Sequence, residues 1–461
     1  METAPIATYR RADPNAAGAL DGALHDTPGA GGPPARPDDG WIAIIEPNFT
    51  GHRWRYVDWI AQACVEAGHR CLVVTDTGNA SHPLAQRIAQ QARPDLRLVL
   101  LDLHTVPRGP LFAASIYMRF RDFYARALAQ VRRTLPVRLV VAPYADYFFY
   151  TLAPLGTPFG DTPWIAIVMG MTFHHAGAGL NTPRRPFVDV AKALLFRRGM
   201  RVRGLRKLFT IDPTLPEWFA ATKPARAAPL DYVADPFPET SAADQQEARA
   251  RLGLDPDPRQ RYLLVYGAIG QRKGVRELMR ALIQGGTQSA PPRLVIAGQH
   301  EDDETRAFIA EHAPQISPAP VIFEQFVPDA MERDLFSACD AVWLGYVRHY
   351  GMSGVLVQAY RFNKPVLASA DGLIGWFCRD GSLGPRLDDL EPASIARGLD
   401  ALAARWASGA REGNEANDVS DVSDVSAGNA PQPAAQPSGA AKLLALNTLD
   451  QFKRTLQAAL A

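Results

Sequence analysis

Cysteine and long apolar runs are both scarce in this 461-residue sequence. The four cysteines, Cys64, Cys71, Cys339 and Cys378, form no C-x-x-C pair, which argues against a zinc site and against a disulfide framework. The longest apolar stretch, residues 164–173, is about half of the roughly 20 residues that a membrane-spanning helix needs. The first residues show no basic-then-apolar signal pattern. The sequence therefore predicts a protein of the reducing cytoplasm that does not cross a membrane.

Net charge is also nearly absent, with 49 Lys and Arg against 48 Asp and Glu. The protein as a whole is therefore no generic binder of polyanions, and we expect no nucleic-acid partner. The charge is unevenly placed, because residues 184–207 hold nine Lys or Arg and one Asp, a net +8, which leaves −7 for the rest of the chain. This segment is a candidate anionic docking face.

Proline and glycine mark the segments that cannot fold alone. Residues 1–40 hold six of each and few large apolar side chains, so we expect a disordered tail. Residues 409–441, with three Asp-Val-Ser triplets, are expected to form a low-complexity linker. Residues 442–461 place leucines and Phe452 at helical spacing, which predicts a C-terminal helix that docks near the junction between domains.

Between these segments, apolar runs of strand length alternate with helical patterns. A Pro-rich break near residues 235–238 separates two series, which predicts an N-terminal domain over 41–235 and a C-terminal domain over 236–408. The predicted strands are 41–45, 71–75, 98–101, 137–141, 164–168, 208–211, 262–266, 294–297, 321–326, 341–346 and 365–369. Such an order predicts two Rossmann-like, doubly wound parallel sheets, with ligands bound at the carboxyl ends of the strands.

A glycine-rich loop, Gly267 to Gly274, follows one predicted strand and precedes a helix. Gly267 and Gly270 let a ligand approach the backbone, the helix N-terminus offers N–H groups, and Arg272 and Lys273 add positive charge, which together suit a phosphate. The loop is not a Walker A motif, because no Ser or Thr follows Lys273. A tight turn with exposed basic residues is the alternative.

A second loop with the same placement spans residues 348–354. Ser353 is a natural N-cap, and Gly351 and Gly354 let the loop wrap around a ligand. Taken alone, a capped turn accounts for this loop at least as well. Two such loops at one end of a sheet nevertheless favour a binding site.

Two loops of the first domain carry histidines. Gly51 and His52 follow the first strand, where they would face a ligand across a cleft, although a lone histidine there is more often structural. His174 and His175 follow the strand that ends at Val168. We expect no metal at this pair, because adjacent side chains point apart and no third ligand is nearby in sequence. His174 is our candidate catalytic residue lining an acceptor pocket.

Taken together, these residues make the chain similar to the GT-B glycosyltransferases, and specifically to retaining family 4, the glycosyl transferases group 1. Residues 266–274 resemble the Gly-Arg-to-Lys-Gly phosphate loop of that family, residues 294–298 its strand ending in Gly, and residues 355–369 the unit after its Glu-x7-Glu motif. The resemblance implies an α/β fold of two Rossmann-like domains facing a cleft. It further implies retaining sugar transfer from a nucleotide diphosphate sugar to a glycan or lipid-linked acceptor, in polysaccharide or glycolipid biosynthesis, without a bound metal or cofactor.

The same resemblance implies the site residues. Lys273 would be catalytic, by stabilising the departing diphosphate. Where the family has Arg, this chain has Ala268, and where it has the two glutamates, this chain has Tyr350 and Gln358. In the family the second glutamate holds the donor ribose, so Gln358 keeps a hydrogen-bond acceptor but loses the charge. The implied donor-binding residues are Gly267, Gly270, Arg272, Lys273, Tyr350, Gly351, Met352, Ser353, Gly354 and Gln358.

These departures leave two alternatives open. One is a non-catalytic GT-B-like protein that binds a nucleotide sugar or a glycan, and the other is a nucleotide-sugar epimerase on the same fold.

The basic segment also has two interpretations. Apolar residues recur from Pro186 to Leu195 at helical spacing, which predicts an amphipathic helix. Such a helix either packs on its own sheet with a solvated basic face or lies on an anionic surface, which would place the protein at the periphery of the inner membrane.

Overall fold

The computed structural model describes residues 40–49, 53–102, 115–222, 224–237, 240–417, 443 and 446–460. Residues 1–39 of the predicted tail, residues 418–441 of the predicted linker, and the cleft-loop candidates Gly51 and His52 lie outside the described residues.

A seven-stranded parallel sheet with the order β3-β2-β1-β4-β5-β6-β7 forms the first lobe. Its strands are β1 (Trp41–Ile45), β2 (Cys71–Asp76), β3 (Leu96–Leu101), β4 (Val137–Ala142), β5 (Trp164–Val168), β6 (Leu205–Thr210) and β7 (Leu230–Tyr232). Helices cover the sheet: α1 (Arg53–Glu66), α2 (Pro83–Gln91), α3 (Ile116–Val131), α4 (Asp146–Phe149), α5 (Leu152–Leu155), α6 (Pro186–Gly199) and α7 (Thr214–Thr222).

A six-stranded parallel sheet with the order β10-β9-β8-β11-β12-β13 forms the second lobe. Its strands are β8 (Tyr262–Tyr266), β9 (Arg293–Ala297), β10 (Val321–Phe323), β11 (Ala341–Leu344), β12 (Val366–Ser369) and β13 (Arg386–Leu387). The helices that follow the first lobe are α8 (Gln245–Arg251), α9 (Val275–Gln284), α10 (Asp303–His312), α11 (Asp329–Ala338), α12 (Gly354–Arg361), α13 (Gly372–Phe377), α14 (Pro392–Asn417) and α15 (Leu449–Gln457). The two doubly wound parallel sheets predicted from the sequence are thus confirmed.

Both sheets are buried on their two faces, which explains the continuous apolar runs of their strands. All five residues of β1 and of β5 are buried, for example. Since strand order reverses between β1 and β4, and again between β8 and β11, each sheet opens a crevice at the carboxyl ends of those strands.

The C-terminal helix α15 returns to the first lobe and packs on α1. Phe452 is fully buried, with its ring 5.7 Å from that of Tyr56 and 5.8 Å from that of Trp59. Just before α15, the Asn447 side chain accepts hydrogen bonds from the Tyr232 hydroxyl at 2.7 Å and the Asp235 amide at 3.0 Å.

Asn447 also donates from Nδ2 to the hydroxyl of Tyr360, a residue of α12 in the second lobe, at 3.2 Å. The returning chain therefore ties the two lobes together where they join.

Helix α14 extends to Asn417, so a regular helix covers residues 409–417 at the start of the predicted linker. Among the described residues, none of the helices is both long and apolar enough to cross a bilayer.

Candidate active site

The first glycine loop lies in the crevice of the second sheet, between the ends of β8 and β11. Gly267 directly follows β8, and a 3-10 turn over Gln271–Lys273 leads into α9 through Gly274. Gly274 has a φ of +63°, and a Cβ at this position would lie 1.9 Å from the carbonyl oxygen of Gly345. The close approach of two backbones explains why the sequence has glycine here.

Lys273 is the cation at the base of this loop and is only 4% exposed. Its Nζ donates a hydrogen bond to the Tyr346 hydroxyl at 2.6 Å, and its own carbonyl accepts from Nε1 of Trp343 at 2.8 Å. Burial lowers the pKa of Lys273, while the contact with Tyr346 opposes that change. An ammonium held in an apolar setting interacts strongly with an anion that reaches it.

The second glycine loop is bonded directly to the first. The amide of Val347 donates to the carbonyl of Arg272 at 2.9 Å, and the Ser353 hydroxyl lies 3.4 Å from that of Tyr346. Within the second loop, the carbonyl of Tyr350, the residue before Gly351, accepts a hydrogen bond from the amide of Leu373 at 3.1 Å. The structure thus brings both predicted loops to one crevice.

Three residues of these loops have neighbours that the sequence did not indicate. Ser353 occupies the N-cap position of α12 but makes no side-chain capping bond. Met352 packs against the cores of both lobes. Gly270 faces the carboxylates of Glu301 and Asp302, which lie within 3.1 Å of the position that a Cβ would occupy.

His349 is a further member of this crevice that sequence reasoning passed over. Burial lowers the pKa of His349 to about 4, and a ring nitrogen lies 3.1 Å from the carbonyl of Met352. The imidazole is therefore neutral at physiological pH, and its ring lies 5.5 Å from that of Tyr346 at an interplanar angle of 67°.

Gln358 lies on α12 and is only 1% exposed. Its Nε2 donates to Oε1 of Glu332 on α11 at 3.0 Å, and the Tyr266 hydroxyl donates to the other oxygen of that carboxylate. Burial raises the pKa of Glu332, while the bond from Tyr266 and the charge of Arg55 oppose that rise. Glu332 therefore places a buried carboxyl group beside Gln358, the position of the Glu-x7-Glu motif that has no carboxylate in this sequence.

The crevice of the first lobe holds a second acid. Glu46 follows β1 and is fully buried, with its Oε1 accepting from the amide of Asn48 at 3.2 Å and lying 3.8 Å from Arg53. Burial raises the pKa of Glu46 to about 8. Asp146, after β4, accepts hydrogen bonds from the amides of residues 169 and 170. The guanidinium carbon of Arg53 lies 4.2 Å from the centre of the Tyr144 ring.

His174 and His175 converge on one carboxylate, so the expectation that their side chains point apart without a third group is wrong. Both Nε2 atoms lie near Oδ2 of Asp212, at 3.1 and 2.8 Å, and Nε2 of His174 also lies 3.0 Å from the Thr214 hydroxyl. Burial would raise the pKa of Asp212, but the two histidine hydrogen bonds hold it well below its usual range. Burial lowers the pKa of His174.

These three groups fit a hydrogen-bonded triad better than a metal centre. They are the one set of three or more such side chains that converge within the described part of the chain. A metal-bound histidine usually donates its other ring N–H to an acceptor, whereas Nδ1 of neither histidine has a partner among the described residues. The absence of a metal stays a prediction, as does a catalytic role for His174, which is itself buried.

The basic helix α6 presents its apolar residues to solvent rather than to the sheet. Phe187 is 91% exposed, and Val188, Val190 and Leu194 are exposed as well. Phe196 and Gly199, on the other side of the helix, make its buried contacts with the first lobe. The interpretation in which the stripe of residues 186–195 packs on its own sheet is therefore wrong.

Residues 260–405, which hold both glycine loops, Glu332 and Gln358, match the family model of the glycosyl transferases group 1. The resemblance inferred from the loops is thus confirmed over this range. Among curated protein sequences, none matches the chain.

Solved structures of GT-B glycosyltransferases match the described fold at low sequence identity. HepE from Anabaena, in complex with UDP and glucose, is 14% identical with a TM-score of 0.58, over 91% of this chain and 99% of HepE. Sucrose-phosphate synthase from Thermosynechococcus elongatus is 15% identical with a TM-score of 0.61, over 91% and 97%. WaaG, a glycosyltransferase involved in lipopolysaccharide biosynthesis, is 17% identical with a TM-score of 0.52, over 82% and 96%. The described fold is therefore GT-B.

Proposed function

We propose that this protein is a retaining glycosyltransferase that moves a sugar from a nucleoside diphosphate sugar to a glycan or lipid-linked acceptor. The observation that carries this proposal is the pair of glycine loops, bonded to each other around Lys273 and Tyr346 in the crevice between β8 and β11. This arrangement suits a diphosphate, since it combines a buried cation with the N-terminal amides of a helix.

In the proposed reaction, the bond between the sugar and the diphosphate breaks while the acceptor oxygen bonds to the same sugar carbon. Lys273 stabilises the negative charge that develops on the diphosphate, and the amides at the start of α12 add to that stabilisation. The acceptor hydroxyl passes its proton to the oxygen of the departing diphosphate as the new bond forms, so that the products are the glycoside and the nucleoside diphosphate. HepE, which was solved with UDP and glucose, has the same fold, and this likeness favours UDP as the first donor nucleotide to test.

A thermal-shift panel of UDP, GDP, ADP and their sugars tests the donor site. We expect one nucleotide series to stabilise the wild type and to have little effect on Lys273→Ala. Sugar transfer or donor hydrolysis should fall by about 100-fold or more in that variant, as expected when a charge-stabilising donor is removed.

Lys453→Ala is the matched control, because Lys453 pairs at the surface with Glu66. It should behave as the wild type. Nucleotide binding without hydrolysis or transfer would favour the non-catalytic alternative, and no response to any nucleotide would refute the proposal.

We also propose that α6 docks the protein on an anionic membrane surface, where a lipid-linked acceptor would be presented. Exposed apolar side chains lie beside a segment of net +8, a combination typical of helices that lie in the membrane interface. Lys192 lies 5.6 Å from the ring of Tyr150, and Leu155 of the adjacent α5 is also exposed. The apolar patch therefore continues beyond the helix itself.

Flotation with vesicles that contain phosphatidylglycerol tests this surface. We expect the wild type to float and Phe187→Ser to remain largely in solution, because the most exposed apolar anchor is lost. Phe326→Ser is the matched control, since Phe326 is 74% exposed but belongs to the second lobe. Equal flotation of wild type and Phe187→Ser would contradict docking through α6.

A further inference from the structure

Residues 176–182 of the first lobe, which we call the strap, lie between β5 and α6 and reach into the second lobe. Leu180 is only 6% exposed and belongs to the hydrophobic core of the second lobe. Asn181 forms a parallel bridge with Asp371, and its carbonyl accepts a hydrogen bond from the amide of Gly372 at 2.9 Å. The strap therefore makes both apolar and polar contacts with the second lobe.

The base of the strap is fixed in the first lobe. The carbonyl of His175 accepts a hydrogen bond from the amide of Leu180 at 3.0 Å, so the strap folds back on its own origin. The side chains of His174 and His175 are both bonded to the buried Asp212. A movement of the first lobe relative to the second therefore moves Asn181 with it.

The strap meets the second lobe where α13 touches the second glycine loop. Gly372 has a φ of +56°, and a Cβ at this position would lie 2.3 Å from the Cα of Tyr350. The amide of the next residue, Leu373, donates a hydrogen bond to the carbonyl of Tyr350 at 3.1 Å. Two successive amides of α13 are thus bonded to Asn181 of the first lobe and to Tyr350 of the second glycine loop.

The side chain of Asp371 bonds to the strap instead of capping its own helix. Asp371 occupies the N-cap position of α13, where an aspartate usually accepts a hydrogen bond from an amide of the first turn, but it makes no such bond. Its Oδ1 accepts from Nδ2 of Asn181 at 2.8 Å. Because Asn181 is exposed, this contact adds little to the stability of the fold, and its effect on the second glycine loop is separable from an effect on folding.

We infer that Asn181 is a positioning residue, which links the approach of the first lobe to the placement of the second glycine loop through α13. The inference rests on the proposed function, because that loop is part of the proposed donor site. With the strap in place, Asn181 holds Gly372, and the adjoining residue Leu373 holds Tyr350. Separation of the lobes breaks the first of these contacts and leaves the loop without that support.

Calorimetry with UDP, GDP and ADP tests the inference, since it measures the donor site without requiring an acceptor. For the nucleotide that binds, we expect Asn181→Ala to weaken the affinity by about threefold to tenfold, the range that the loss of one hydrogen bond gives. The melting temperature of the protein without nucleotide should change by no more than about 2 °C, because the lost bond is exposed. Hydrolysis of the matching nucleotide sugar should show a higher KM.

A pair of exchanged side chains tests whether the bond itself matters. Asn181→Asp places two carboxylates together and should weaken the affinity at least as much as Asn181→Ala. The double variant Asn181→Asp/Asp371→Asn restores a donor and an acceptor in reversed order with the total charge unchanged, and should bind within about twofold of the wild type. Asp388→Asn is the matched control, since it removes one charge at an exposed position beside β13, and it should behave as the wild type.

Three results would overturn the inference. Wild-type affinity in both Asn181→Ala and Asn181→Asp would show that the strap does not act on the donor site, and would leave the proposed function intact. A loss of affinity that comes with a melting temperature lower by several degrees, and that the double variant does not restore, would assign Asn181 to folding alone. A wild type that binds none of the nucleoside diphosphates would overturn the proposed function and this inference together.

Discussion

Glu46 gives a direct test of the electrostatics of the first-lobe crevice, through the substitution Glu46→Gln. Its carboxyl group is fully buried, and burial raises its pKa from 4.5 to about 8 despite the nearby Arg53. The folded protein therefore keeps this proton at pH 7, whereas the unfolded chain releases it. Glutamine resembles the protonated acid in shape and does not ionise, so the variant isolates the effect of that proton.

The direction in which stability changes with pH follows from the pKa values of Glu46 in the folded and in the unfolded protein. Because the folded-state pKa is the higher one, the stabilising contribution of Glu46 is complete below about pH 4.5 and is lost as the pH rises towards about 8. Each pH unit in that window lowers the free energy of unfolding by about 1.4 kcal/mol. Glu46→Gln should therefore be more stable than wild type by under about 1 kcal/mol at pH 5 and by about 3 kcal/mol at pH 7.

Urea unfolding followed by tryptophan fluorescence at pH 5, 6, 7 and 8 measures this difference. Glu66→Gln is the matched control, because the side chain of Glu66 is half-exposed and pairs with Lys453 at the surface. Its effect should stay within about 1 kcal/mol and show little change with pH. If Glu46→Gln and wild type give parallel stability curves over this range, Glu46 is already ionised in the folded protein and the reasoning is wrong.

Two further substitutions test the packing of the fold. Phe452→Ala should lower the free energy of unfolding by about 3–5 kcal/mol in the same urea assay, because it removes a fully buried aromatic ring from between α15 and α1. An unchanged urea midpoint would mean that α15 does not pack there. Gly274→Ala should abolish the thermal shift with nucleotide, because its Cβ would displace the carbonyl of Gly345 and a positive φ costs about 1–3 kcal/mol in addition. A wild-type shift in that variant would show that the two loops need not touch.

The strands of both sheets were the most predictable part of the fold. All eleven predicted strands are present, because a strand that is buried on both faces leaves a continuous apolar run in the sequence. The two that were missed, β7 and β13, have three and two residues and lie at the sheet edges. Both contain a charged residue, Asp231 or Arg386, which breaks the apolar pattern, whereas the equally short edge strand β10 is apolar throughout.

The polar contacts of the site were less predictable, because they join residues that are distant in the chain. Asp212 lies 37 residues after His175, and Glu332 lies 66 residues after Tyr266. A local pattern indicates which side chains follow a strand, but not which group of another element they meet. Parallel topology did predict that the two glycine loops share one edge of the sheet.

The exposed face of α6 shows a different limit of sequence reasoning. The spacing from Pro186 to Leu195 correctly predicts a helix. Helical periodicity does not show which side faces the protein. Phe196 and Gly199, at the end of the helix, make the buried contacts and leave Phe187 in solvent.

The junction between the lobes limits how they can move relative to each other. The chain crosses it near Asp235 and returns near Asn447, and these crossings are joined by a hydrogen bond of 3.0 Å. Asn181 also reaches across to Asp371, at 2.8 Å, but there the contact is non-covalent and exposed. Because the covalent crossings are bonded to each other, opening of the lobes requires rotation about that point and separation at Asn181.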